Sequence, residues 1–138
     1  MLLDTHVWIW EALDEAGRLG PHARRALARA GARFELRLSP ASIFELSALH
    51  TAGRLRLAQP IDQWIRDSFE RGGLRLVELT PAIAIDAGAI PTRALPDPVD
   101  RLLVATARAF DLRLVTRDRR ILDYAADSGH VRVVDAAA

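Results

Sequence analysis

The 138-residue chain contains no cysteine. That excludes a disulfide framework, thiolate nucleophiles and cysteine-based zinc sites. It contains no lysine either, so all 19 of its Lys-plus-Arg residues are arginine. A Walker A phosphate loop, Schiff-base chemistry and lysine-assisted phosphoryl transfer are therefore closed. Charge of one sign is also scarce: the formal balance of +1 is too small to hold nucleic acid by overall field alone. No apolar run approaches a membrane span, and the opening MLLDTHVWIW lacks the basic flank of a secretion signal. A soluble, cytoplasmic protein with no membrane partner is the expectation.

What is present is an ordinary globular mixture, 50% hydrophobic and 27% charged. Its length predicts one domain over residues 1–138 with a sizeable core. Neither repeats nor low-complexity tracts interrupt it. MLL reads as a short strand and HVWIWEAL as a helical turn or two. PHARRALARA reads as a helix opened by Pro21, with Ala23, Ala26, Leu27 and Ala30 inward and Arg24, Arg25 and Arg29 on a solvated face. RFELRLS alternates Phe34, Leu36 and Leu38 against Glu35 and Arg37, the pattern of a half-buried strand. Ser39-Pro40 opens the next helix and Gly53 ends it.

The second half repeats the alternation. PIDQWIRDSFERGG is an amphipathic helix with Ile61, Trp64, Ile65 and Phe69 inward. LRLVELT is a strand and PAIAIDAGAI a short helix. DPVDRLLVATA then places Val99, Leu102, Leu103, Thr106 and Phe110 at helical spacing. LRLVT, RRILDYAA and VRVV close the chain as strand, helix and strand. Strands alternating with helices predict an α/β fold with a mainly parallel sheet covered on both faces. In such sheets function gathers beyond the carboxyl ends of the strands.

That rule gives four acids a second meaning. Asp4 follows MLL directly, and Asp118 follows LRLVT. Asp100 stands in the first turn of the helix that leads into LRLVT, and Glu45, set between Phe44 and Leu46, stands on the helix after RFELRLS. Each alone reads more simply as a helix cap or a solvated acid. Together on one sheet edge they could not all stay ionised without a counter-cation. Oxygen-only ligands suit Mg²⁺ or Mn²⁺. Asp97 reads as the N-cap of its helix, with Pro98 at the first helical position. The four histidines, His6, His22, His50 and His130, show no ligand spacing.

LLDTHVWIW, SPASIFELSAL, DPVDRLLVATA and LVTRDRRILDY resemble, in order, the four acidic motifs of PIN-domain ribonucleases. The likeness is greatest to VapC-type toxins of bacterial toxin–antitoxin pairs and runs from Met1 to about Val134. It implies a PIN-like three-layer α/β/α sandwich with a mainly parallel central sheet. It implies a metal-dependent endoribonuclease whose metal-binding and catalytic acids are Asp4, Glu45, Asp100 and Asp118, using Mg²⁺ (or Mn²⁺) on an RNA substrate. Thr116 matches the hydroxyl that organises the site, with Thr5 and Asp97 in support. Homodimerisation and a VapB-like antitoxin partner are implied too, with Trp8 and Trp10 as candidate groove residues. The general base stays open between Asp118 and Glu45. The chain departs from many relatives in having Arg93 and no histidine before the DP pair, Val99 in place of phenylalanine, and Arg54 in place of lysine.

Two rivals compete with the nuclease. A catalytically silent module could use the acids to dock an arginine-bearing partner. An aspartyl-phosphate receiver also puts acids at strand ends, but it uses a lysine that this chain lacks.

Overall fold

The computed structural model describes residues 1–13 and 15–138. Among them are five short strands: β1 (Leu2–Leu3), β2 (Leu36–Leu38), β3 (Leu74–Leu76), β4 (Leu114–Thr116) and β5 (Val133–Asp135). The helices are α1 (Thr5–Ala12), α2 (Pro21–Ala32), α3 (Pro40–Thr51), α4 (Ile61–Gly72), α5 (Pro81–Ala89), α6 (Pro98–Ala109) and α7 (Arg119–Ser128). Proline opens α2, α3, α5 and α6, where its missing N–H costs nothing. Ser39, Thr80 and Asp97 cap three of these helices with side-chain oxygens.

The sheet is parallel throughout, in the order β3-β2-β1-β4-β5. The chain builds outward from β1 on one side, then crosses back and builds outward on the other. The switch in direction falls at β1, and a crevice at the strands' carboxyl ends is expected there.

Side chains alternate across the sheet, which separates two cores. Leu3 and Val115 point into one, with Trp8, Leu27, Leu46 and Trp64. Leu2 and Leu114 point into the other, with Leu103, Val104 and Ile121. The result is the expected α/β/α sandwich. The helix ends are packed closely enough to need glycine: Gly73, at φ +64°, closes α4, and a Cβ there would strike the Gly31 carbonyl.

Two residues expected inside lie outside. Phe34 is 54% exposed at φ +57°, because a tight turn after α2 places it before the strand begins. Its ring lies under the Arg75 guanidinium, 5.6 Å from centroid to carbon. Phe110 is the C-cap of α6, and the chain leaves helical geometry there and exposes the ring. Helix α6 buries Leu103 to Ala107 in one unbroken run instead, since sheet, α3 and α5 all pack against it.

Candidate active site

Asp4 sits one residue beyond β1 and caps α1. One carboxylate oxygen accepts the Thr5 N–H at 2.7 Å, and the other accepts the Thr116 hydroxyl at 2.6 Å. The Thr116 oxygen in turn accepts the Asp118 N–H at 2.9 Å. One buried hydroxyl at the end of β4 thus ties the acid of β1 to the acid that caps α7. Asp118 spends one oxygen on the Arg120 N–H, at 2.8 Å. The sequence motifs around Asp4 and Asp118 meet because β1 and β4 are neighbours in register.

Helix α6 delivers Asp100. Asp97 accepts the Val99 N–H at 2.8 Å and sets the first turn, as its capping pattern predicts. Asp100 is then held inward, 9% exposed. Glu45 comes from α3 and is half-buried. Thr5, wholly buried, donates its hydroxyl to the Ser42 oxygen at 2.9 Å, beside Glu45.

All four predicted acids, with Asp97, line one pocket of about 240 Å³. His6, Trp10 and Arg117 complete the lining. Among the described residues none of the five acids pairs with an arginine. Arg117 donates to the Arg18 carbonyl instead, at 2.8 Å. The electrostatic cost shows in the titration of the acids. Burial raises the Asp100 pKa to about 8, helped by the charges of Asp97, Asp4, Asp118 and Glu45. Burial also raises Asp4, against the pull of its Thr116 and Thr5 hydrogen bonds. Glu45 rises for the same first reason, opposed by Thr5 and reinforced by Asp4 and Asp97.

Among the described residues, no three acids or histidines stand as a ready-made metal-ligating cluster. Asp4 is turned onto two donors and Asp118 onto one. The donor set nevertheless fits a hard divalent cation: oxygen ligands, several carboxylates and, among the described residues, no ion pair that occupies them. Asp4, Glu45, Asp100 and Asp118 are the residues that could hold it.

Several features escaped the sequence. Ser42 stands three residues before Glu45, on the same face of α3, but a serine on an apolar helix carries no signal of its own. Arg117 was hidden between Thr116 and Asp118. Trp8 corrects an expectation. It is completely buried, donates its indole N–H to Ser68 at 3.1 Å, and packs on Trp64 at 5.4 Å. It packs as core, and its only share in a groove is as one wall of a cavity of about 270 Å³ beside Leu36, Ser68 and Leu74. Trp10 is only partly covered, with His6 on one side at 5.9 Å and the Arg18 guanidinium at 5.8 Å. Arg54 and Arg93 are exposed and lie outside the pocket lining.

The family model described as the PIN domain matches residues 1–127. The chain belongs to the PIN-domain family. This PIN domain is also 40% identical to Ribonuclease VapC22 of Mycobacterium tuberculosis (strain H37Rv) over 121 residues, 88% of each chain. Its fold is shared with a solved structure, VapBC2 from Rickettsia felis bound to a DNA fragment from their promoter. That likeness has a TM-score of 0.68 over 97% of this chain and 96% of the other, at 13% identity. In this PIN domain the five acids and Thr116 lie within the matched residues.

Proposed function

We propose that this PIN domain is a VapC-type endoribonuclease, the toxin of a toxin–antitoxin pair, with RNA phosphodiesters as its substrate. The observation that carries the reading is the pocket where Asp4, Glu45, Asp100 and Asp118 converge, the first and third buried, with no ion pair to any of them among the described residues. The 40% identity to a named ribonuclease supports the reaction class. An Mg²⁺ or Mn²⁺ ion bound by these four acids would neutralise charge on the phosphodiester and make water a stronger acid.

The chain's own residues do the rest. Thr116 locks the Asp4 carboxylate, and Asp97 fixes the helix start that presents Asp100. Glu45 is the acid we assign to receive the proton of the attacking water, since Asp118 spends an oxygen on its cap. The water oxygen bonds to phosphorus, one P–O ester bond breaks, and the departing oxygen takes up a proton from solvent water, while Glu45 returns its own to solvent. Trp10, His6 and Arg117 form the wall against which the substrate lies.

A cytoplasmic setting, a homodimer and a VapB-like antitoxin partner accompany this reading. One alternative is a silent module whose acids, free of ion pairs among the described residues, dock an arginine-bearing partner. Purified, partner-free protein decides between them on structured and single-stranded RNA. The nuclease cleaves with Mg²⁺ or Mn²⁺ and stops with excess EDTA. Cleavage undiminished by chelator would remove the metal from the mechanism, and no cleavage with either ion would favour the silent module.

A further inference from the structure

The acidic pocket has a counterpart at the opposite, amino-terminal edge of the sheet. A cavity of about 340 Å³ is lined there by Arg29, Arg33, Arg113 and Arg132, with Glu35 and Asp111. The arginines arrive from three separate segments: the end of α2, the residue before β4 and the residue before β5. Its floor is small and apolar, with Ala26, Ala30 and Leu112. Asp111 is already spent, because Arg132 donates to its carboxylate at 2.6 Å and to its carbonyl at 3.0 Å. Among the described residues Arg29, Arg33 and Arg113 have no carboxylate within ion-pair distance.

Helix-end electrostatics explain part of this. Arg29 and Arg33 sit at the C-terminus of α2, where cations are favoured. Arg113 and Arg132 precede strands, and no helix end accounts for them. All four are exposed, and each of Arg29, Arg33 and Arg113 offers a planar fork suited to phosphate.

The net charge of +1 thus conceals an uneven distribution, with five carboxylates and Arg117 around one pocket, and four arginines with Glu35 and Asp111 around the other. Along the buried strand β1, Met1 of the basic cavity and Asp4 of the acidic one stand at opposite ends. Three residues of extended chain span roughly 10 Å. A catalytic pocket crowded with carboxylates attracts a polyanion poorly, so substrate affinity has to come from elsewhere on the surface. We propose that this arginine cavity binds phosphate groups, those of an RNA strand held at the edge of the sheet away from the acids. The choice of RNA as the source rests on the ribonuclease reading; the phosphate chemistry does not.

The test is binding without turnover. A fluorescein-labelled single-stranded RNA is titrated by anisotropy in EDTA, in an Asp100→Asn background, across a range of salt. Arg29→Gln with Arg33→Gln should lower affinity at least tenfold. It should also flatten the slope of log K against log salt by about 0.7 per lost phosphate contact. Arg113→Gln should act in the same direction. Arg56→Gln with Arg66→Gln removes equal charge from exposed sites elsewhere and should change affinity less than twofold. Inorganic phosphate provides the second arm. If RNA binding is unmoved but phosphate raises the melting temperature of the parent and not of the Arg29/Arg33 variant, the site takes free phosphate. Equal losses in both double variants, or no effect in either arm, would overturn the proposal. Arginine-dependent binding by a protein that never cleaves RNA would remove the catalytic reading and leave this one standing.

Discussion

Two aspartates three positions apart on one helix, Asp97 and Asp100, do different work. Asp97 is exposed and accepts a backbone N–H, which asparagine does equally well. Asp97→Asn should therefore keep the fold, and Asp97→Ala should cost about 1 kcal/mol in a denaturant melt. Asp100 is buried among like charges, and its charge is what the proposed cation needs. Asp100→Asn should abolish RNA cleavage while raising the metal-free melting temperature at neutral pH. Loss of cleavage in Asp97→Asn with full cleavage in Asp100→Asn would reverse the assignment. The hydroxyl that joins the acids gives a further test. Thr116→Val leaves the Asp4 carboxylate and the Asp118 N–H without their shared partner, which should cost about 1–3 kcal/mol and reduce turnover.

At the scale of elements, most boundaries were legible because proline and glycine mark them. Pro21, Pro40, Pro81 and Pro98 each start a helix, and Gly53, Gly73 and Gly129 lie beyond helix ends in left-handed geometry. Gly73→Ala meets both a positive φ and the Gly31 carbonyl. It should destabilise by more than the ~1 kcal/mol that a strain-free Gly→Ala gains, measured by chemical denaturation, while metal affinity at the distant acids stays unchanged. Phe34 and Phe110 were misplaced for a shared reason: hydrophobic spacing was continued one step past the point where the backbone turns. Trp8 was misplaced for another. Tryptophan suits both groove and core, and only the Ser68 hydroxyl, 60 residues away, settles which.

For the whole molecule, the pocket makes stability depend on pH and on metal. Asp100, Asp4 and Glu45 all have folded pKa values above their unfolded ones. At these three groups the folded state therefore binds protons more tightly, and their contribution to stability is greatest below the ordinary carboxylate range. It is lost as pH rises from about 4 toward the Asp100 value of about 8. Metal-free melting temperatures should fall across that window. Mg²⁺ or Mn²⁺ should restore more at pH 8 than at pH 5, because protonated acids do not bind cations. A flat pH profile in metal-free protein would mean the acids are further apart or better solvated than the pocket implies.

The sequence by itself determined which segments are strands, which are helices, and that the strands run parallel. Each follows from local causes: side-chain period, caps, and the crossover that a helix between strands imposes. It also singled out Asp4, Asp100 and Asp118 as acids just beyond strands or at a helix start, and Glu45 by its place between Phe44 and Leu46 and by its motif. The strand order β3-β2-β1-β4-β5 belongs to the tertiary structure alone. That order makes β1 and β4 neighbours, though 112 residues separate Asp4 from the Thr116 that holds it. Burial of Trp8, the Thr5–Ser42 contact and the gathering of arginines at the opposite edge were decided there too. Local patterns record what a segment can face; only packing decides which distant segment it meets.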